Sequence, residues 1–468
     1  MKNTLLLQII NELTAWERVE ARKWLASPVH NEREDVRQLF DIIVQTVFTQ
    51  HQIPDNKEVF QSLFPEASYD DQWFRLLCSY LYKCLEEWLN WRQWRKAHPE
   101  PAHWLLESLR NRGLDKAFAR HEKKCRHTLS KSAFRNHQHY LDAYLLEQEV
   151  YLAQSKQGRG KPLNFQAQEE ALQAAFMSYK LRLACLSIAH QRVSGMVCEV
   201  SLLPEILAMA EMPPYCDIPA VSVYYHVWQM YQDADNPAAF HAFEVLFHRY
   251  VGAFPSNEGR DLLLLGVNFC IRQINRNGNA FFHEALNLYK IGLDNQLLME
   301  DGFLSAFTYA NIAIIAMRSG EWEWVALFLE KYRADLPPHQ RTSIYALNAA
   351  RLAYHQQNHH KALLLLHQFD DKDFIHQLSA RILQMKIFYE AGDFQLLSAH
   401  IKNTRAYLRR IPYDSYHKQI YSNIFFLTDQ LMKLPPFDKE RREQLRSLIT
   451  TTEPLTERDW LLAQIDLV

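Results

Sequence analysis

Apolar residues recur at intervals of three and four along most of the chain, and this period near 3.6 predicts amphipathic α-helices. Several predicted helices begin at an N-cap residue that is followed three positions later by a glutamate. These pairs are Thr14 with Glu17, Asn31 with Glu34, and Asp55 with Glu58. No segment sustains the alternation of apolar and polar residues that a strand requires. The pattern therefore predicts an all-α chain of about twenty helices, each about 10 to 25 residues long.

One break interrupts this pattern. Residues 158–162 have the sequence Gly-Arg-Gly-Lys-Pro, which predicts a flexible connection. It would join a Trp-rich, partly basic helical region, 1–157, to the more regular helices of 163–453, although a loop between two consecutive helices fits almost equally well. Residues 454–468 predict a final helix that covers the apolar end of a helical stack.

Three segments in the second half of the chain resemble one another around a turn between two helices. They are Ala316-Met-Arg-Ser-Gly-Glu-Trp322, Ala353-Tyr-His-Gln-Gln-Asn-His359 and Phe388-Tyr-Glu-Ala-Gly-Asp-Phe394. Their spacings are 37 and 35 residues. Each predicts the end of one helix, a tight turn and the start of a second amphipathic helix, so the segments indicate repeated helical pairs.

The repeats resemble the tetratricopeptide repeat (TPR) family over about residues 300–412. In the first unit the match includes Tyr309, Gly320 and Pro337, and in the second it includes the small residues Ala350 and Ala353. The unit lengths are uneven, and a glutamine replaces the turn glycine of the second unit. The resemblance implies a right-handed α-solenoid of helical hairpins.

In TPR proteins the first helix of each unit lines a concave groove that binds partners. Matching those positions in this sequence gives the groove candidates Asn311, Arg318, Asn348, Arg351, His355 and Lys386. Asparagines at the same position of two units are suited to peptide-backbone recognition, and the cationic side chains are suited to an acidic segment. Ordinary solvated side chains are the alternative interpretation. The resemblance implies a non-catalytic scaffold or adaptor that binds a segment of another protein.

A basic segment suggests a different function. Residues 88–135 contain twelve Lys and Arg against four Asp and Glu, and four tryptophans lie among them. Basic and aromatic residues together can bind nucleic acid through phosphate contacts and base stacking. The candidates are Lys116, Arg120, Lys123, Lys124, Arg126, Lys131 and Arg135. A buried tryptophan stripe with a solvated basic helix face explains the same pattern.

Composition and motifs do not favour catalysis. The chain has 468 residues, 52 Lys and Arg against 54 Asp and Glu, and only 12 glycines, which disfavours phosphate-cradling loops. The seven scattered cysteines and the lack of a signal peptide or membrane span indicate a cytoplasmic protein. No nucleotide-binding, metal-binding or nucleophile motif is present. We therefore predict no enzyme activity, no cofactor, no metal, no membrane contact and no small-molecule substrate.

Overall fold

A computed structural model of the chain describes residues 1, 4–97, 103–157, 162–233, 236–277, 281–370, 373–410, 416–435 and 438–467. Within these ranges it contains 23 α-helices, three short 3₁₀ segments and one two-stranded hairpin. The prediction of an all-α chain is confirmed. The hairpin pairs β1 (Met299–Glu300) with β2 (Phe303–Leu304). Strands of two residues are too short to show an alternation of apolar and polar residues in the sequence. Of the predicted connection 158–162, residues 158–161 lie outside the described ranges.

The chain forms two compact units. The first consists of Met1–Lys131 and Leu145–Asn164, and the second of Ser132–Tyr144 and Phe165–Val468. The helices before residue 155 are α1 (Leu5–Glu12), α2 (Ala15–Leu25), α3 (Glu34–Phe48), α4 (Asn56–Leu63), α5 (Asp71–Ala97), α6 (His103–Asn111), α7 (Asp115–Lys131) and α8 (His137–Gln154). The first turns of α8 therefore belong to the second unit and the rest of α8 to the first.

The first unit has two apolar cores. The larger is formed by α1 to α5 and contains the fully buried Trp88, Phe40 and Phe60. The smaller contains Leu106 and Phe118, from α6 and α7. Burial of Trp88 confirms the structural interpretation for that tryptophan, and the large apolar area of such side chains stabilises the helix packing.

The helix starts of the first unit test the N-cap predictions. Thr14 and Glu17 form the reciprocal capping box, and Asp55 accepts hydrogen bonds from the first backbone N–H groups of α4. The prediction for Asn31 is wrong. Its side-chain amide donates instead to the backbone oxygens of Leu25 and Arg33, because the chain turns there before α3 begins.

The second unit contains the remaining helices. They are α9 (Phe165–Ser194), α10 (Leu203–Ala210), α11 (Pro219–Gln232), α12 (Pro237–Tyr250), α13 (Ser256–Asn277), α14 (Phe282–Asp294), α15 (Ala306–Arg318), α16 (Trp322–Lys331), α17 (Arg341–His355), α18 (His359–His367), α19 (Phe374–Glu390), α20 (Phe394–Arg410), α21 (Tyr416–Met432), α22 (Lys439–Thr451) and α23 (Arg458–Leu467). A large apolar core runs from α9 to α17. A second core packs α19 to α23 together and includes Leu461 and Ile465 of α23, both fully buried.

A buried carboxylate holds the segment before α8 against the rest of the second unit. Glu258 of α13 accepts hydrogen bonds from Asn136 Nδ2 at 2.7 Å and from the Tyr224 hydroxyl at 2.9 Å. His137 Nδ1 lies 3.3 Å from the same carboxylate. Burial alone would raise the pKa of Glu258, but His137, Asn136 and Tyr224 outweigh burial and leave this pKa below its ordinary value. The contact stabilises the fold in its ionised form.

The three predicted turns share one backbone geometry. In each, the residue after the turn donates its backbone N–H to the carbonyl five positions earlier: Glu321 to Ala316, Asn358 to Ala353, and Asp393 to Phe388. The turn residues Gly320, Gln357 and Gly392 all have positive φ, between +62° and +77°. This is the Schellman arrangement that ends many helices, and it normally favours glycine. The three similar segments therefore each lie at a turn of the same backbone geometry between two helices.

None of the described helices combines the length and the apolar character needed to cross a lipid bilayer.

Candidate functional site

Helices α15, α17 and α19 are the first helices of the three pairs. The helix α17 packs against both α15 and α19. A cavity of about 610 Å³ opens on these three helices and is also lined by Tyr421 of α21 and by Thr456–Trp460 at the start of α23. We call it the cationic cavity, because Arg318, Arg351, Lys386 and Arg458 are among its lining residues.

The structure brings four of the six groove candidates together. Arg318, Arg351, His355 and Lys386 all line the cationic cavity, although they come from three different helices. Four side chains from three separate stretches of the sequence therefore line one cavity.

The two asparagines do not line the cationic cavity. Asn311 is exposed and forms a hydrogen bond with Tyr289, away from the cavity. The expected exposure of Asn348 is wrong, because this residue is fully buried and its Nδ2 donates to the backbone oxygen of Ile344 at 2.8 Å. The helix α17 is packed between α15 and α19. The Asn348 side chain is therefore buried instead of facing a groove.

Asn348 supports a cation of the cavity. Its Oδ1 accepts a hydrogen bond from Arg351 Nη1 at 2.8 Å. Arg351 forms no ion pair with any carboxylate in the described part of the chain. Burial lowers the pKa of Arg351 to about 10, and the more distant carboxylate of Glu457 only partly opposes that effect. The fold thus keeps an unpaired guanidinium at the cavity wall, an unfavourable arrangement in the absence of an anion.

Lys386, unlike Arg351, has a carboxylate partner. Its ammonium forms a 2.9 Å ion pair with Glu457 and lies between two aromatic rings, 4.8 Å from the Tyr354 centroid and 5.7 Å from the Trp460 centroid. Lys386 is 9% exposed, so its predicted solvent exposure is wrong. The sequence did not identify Glu457 as its partner, because the two residues are 71 positions apart.

A carboxylate fixes the aromatic side of the cavity. Glu390 accepts a hydrogen bond from Trp460 Nε1 at 2.7 Å and another from the hydroxyl of Tyr354. His359 Nε2 lies 3.3 Å from the same carboxylate. The start of α23 is therefore tied to α17 and α19 by polar contacts as well as by its apolar core.

The open side of the cavity carries Arg318 and His355, which are both exposed. Arg318 lies in the last turn of α15 and forms no ion pair within the described ranges. The His355 ring lies 5.5 Å from the Trp322 ring. Partial loss of hydration at the cavity wall, together with the positive charges of Lys386 and Arg318, lowers the pKa of His355 although part of its surface is exposed, so its imidazole is neutral at pH 7.

The charge of the lining is positive. It contains four Lys and Arg side chains against the two carboxylates Glu457 and Asp459. Arg458 is paired with Glu453 at 2.7 Å, and Lys386 with Glu457. Two guanidinium groups, those of Arg318 and Arg351, remain available to an anion. The cavity also has hydroxyls on Tyr354 and Tyr421, and burial raises the pKa of both tyrosines, so both stay neutral.

Six of the seven basic candidates belong to the first unit, and Arg135 belongs to the second. Lys116, Arg120, Lys123, Lys124 and Lys131 are exposed on α7, in the first unit. Arg126 is paired with both Glu122 and Glu147, which neutralises much of its charge. Arg135 belongs to the second unit, where its guanidinium donates to the backbone oxygens of Ser132 and Phe134.

The tryptophans of the basic segment differ in how much of each side chain is exposed. Trp88 is fully buried, whereas Trp94 and Trp104 are 43% and 52% exposed.

Among the described residues no group of three or more His, Cys, Asp or Glu side chains has the arrangement of a metal site. Comparisons with models of protein families, with curated proteins and with solved structures each find no match to this chain.

Proposed function

We propose that the chain is a non-catalytic, cytoplasmic protein-interaction scaffold whose helical pairs form a TPR-like α-solenoid. The partner is a protein segment that lies along α15 and α17 and places an acidic side chain in the cationic cavity. The observation that carries the proposal is the convergence of Arg318, Arg351 and His355 on one open cavity. The repeated turn geometry of the three helical pairs supports the solenoid part of it.

The charge state of the cavity supports an acidic partner. Arg318 and Arg351 have no carboxylate partner within the described ranges, whereas Lys386 and Arg458 are already paired. Hydrogen bonds between a guanidinium and a carboxylate are among the stronger polar contacts in proteins. A segment that supplies one carboxylate would therefore complete an interaction that the fold leaves open.

Charge reversal at the exposed guanidinium tests this proposal. We expect Arg318→Glu to lose a stoichiometric protein partner in affinity capture from a lysate of the source organism, followed by mass spectrometry. The matched control is Arg409→Glu, an exposed position in the last turn of α20 and outside the cavity lining. Capture of the same partner by both variants would contradict the proposal.

A second candidate function rests on α7. Lys116, Arg120, Lys123 and Lys131 recur every three to eight residues, so they share one exposed helix face. Such a face can contact nucleic-acid phosphates, and the resulting affinity falls steeply with salt. The capture experiment separates the two functions when it is run with and without nuclease and at two salt concentrations. Proteins lost after nuclease treatment would favour α7, and a nuclease-resistant partner would favour the cavity.

A further inference from the structure

The cationic cavity has the features of a small-molecule site in addition to those of a protein-docking surface. Its volume of about 610 Å³ falls within the range of roughly 300 to 1,000 Å³ that is typical of ligand pockets. Ile314, Met317 and Leu383 supply apolar lining, and Tyr421 and Trp460 supply aromatic rings. The cavity can therefore enclose an apolar body of limited size together with a polar group.

The cationic lining favours an anion as the polar group. Arg351 is tied on one side to the buried Asn348, and no carboxylate of the described residues pairs with it. Arg318 lines the same cavity and is also unpaired in the described part of the chain. Two guanidinium groups that lack a carboxylate partner in the described ranges, on the contacting helices α15 and α17, can supply several N–H donors to an oxyanion.

The start of α23 adds a second source of donors. Thr456, Glu457, Arg458 and Asp459 line the cavity, and α23 begins at Arg458. The first backbone N–H groups of a helix have no acceptor within the helix and favour negative charge. Of the two carboxylates in the lining, Glu457 is neutralised by its ion pair with Lys386. Asp459 forms no ion pair in the described ranges and would repel an anion, but it lies at an exposed position.

We propose that the cationic cavity binds a small organic anion, in which a phosphate or carboxylate group contacts Arg318 and Arg351 and an aromatic or aliphatic body contacts Tyr421 and Trp460. This goes beyond the scaffold function, because it requires no protein partner. The cavity, of which Thr456–Trp460 line one part, is large enough to hold a free small molecule.

Calorimetric titration of the full-length protein tests the proposal. The probes are phenyl phosphate and benzoate, each at constant ionic strength adjusted with chloride, and neutral benzyl alcohol reports binding of the apolar body alone. We expect an anionic probe to bind at least ten times more tightly than benzyl alcohol. Tighter binding of phenyl phosphate assigns a phosphate ligand, and tighter binding of benzoate assigns a carboxylate ligand.

Three variants locate the binding. Arg351→Met is expected to weaken binding of the preferred anion at least tenfold. Arg318→Gln, at an exposed position where folding is not at risk, is expected to weaken it at least threefold. Arg409→Gln should leave it unchanged. No binding of either anion, equal binding of benzyl alcohol, or unchanged affinity in both Arg351→Met and Arg318→Gln would overturn the proposal. Because no partner is present in these titrations, such a failure would not bear on the scaffold function.

Discussion

Replacing Arg351 with methionine should make the folded protein more stable in the absence of ligand. Lowering the pKa of Arg351 to about 10 from 12.5 corresponds to a penalty of at most about 3 kcal/mol on the charged form in the folded state, because the side chain is half-buried and solvent screens part of the effect. Methionine retains much of the apolar stem and removes this half-buried charge. It also removes the hydrogen bond to Asn348 Oδ1, and a buried acceptor left without a donor costs about 1 to 2 kcal/mol. The expected net change is a gain of at most about 1 to 2 kcal/mol in the free energy of unfolding.

Hydrogen exchange of the α17 amides during urea titration is the appropriate assay. It reports the part of the chain that contains Arg351, whereas a global signal would mix the unfolding of two compact units. Arg318→Met is the control, because an exposed arginine without an ion pair in the described ranges should change stability by less than about 0.5 kcal/mol. A loss of 1 kcal/mol or more in Arg351→Met would refute the reasoning, since it would show that the guanidinium stabilises the free protein.

Three further outcomes are expected. Glu258→Gln should lower the free energy of unfolding by about 2 to 3 kcal/mol at pH 7, because the buried carboxylate accepts two charge-assisted hydrogen bonds. The pKa of Glu258 is lowered in the fold, so its stabilising effect is present above pH 4.5 and is lost at lower pH; melting curves of the variant and the wild type should therefore converge on acidification. Gln357→Gly should raise the free energy of unfolding by about 0.5 to 1 kcal/mol in urea titration, because glycine adopts the positive φ of the turn without strain. Replacing Lys116, Arg120 and Lys123 together with glutamate should abolish any electrophoretic shift of a polynucleotide.

Each of these outcomes has a control or a contrary result. Glu323→Gln changes an exposed glutamate of α16 and should leave the melting curve unchanged at every pH. A constant difference between Glu258→Gln and the wild type from pH 7 to pH 3 would mean that the charge of Glu258 is not the stabilising feature. Destabilisation by Gln357→Gly would show that the glutamine side chain, rather than the backbone conformation, matters at the turn. A retained shift in the α7 variant would remove that helix face from consideration.

The helical periodicity was sufficient to predict the all-α fold class, because helix formation depends largely on local sequence. Gly320 and Gly392 marked two turns directly, and Gln357 was placed by its spacing although its side chain is atypical for positive φ. The N-cap at Asn31 was mispredicted because this side chain found backbone acceptors in the preceding turn. Local rules could not distinguish that outcome from a cap.

The candidate site was only partly predictable. The resemblance to TPR repeats led to Arg318, Arg351 and His355, and all three line the cationic cavity. Burial of Asn348 and pairing of Lys386 with Glu457 depend on neighbours that lie far apart in the sequence. The charge count of residues 88–135 likewise gave no indication that Arg126 would pair with Glu147 or that Arg135 would belong to the second unit. Composition records charges but not their partners.

Site-specific photo-crosslinking from the cavity tests the central claim most directly. A photoreactive amino acid at Ile314, which is 37% exposed and lines the cationic cavity, is compared with one at Leu364, which is exposed on α18 and absent from the cavity lining. The scaffold account predicts one discrete protein adduct from position 314 in cells, which is lost when Arg318→Glu is added, and no such adduct from position 364. The same adducts from both positions, or an adduct from 314 that persists with Arg318→Glu, would contradict it.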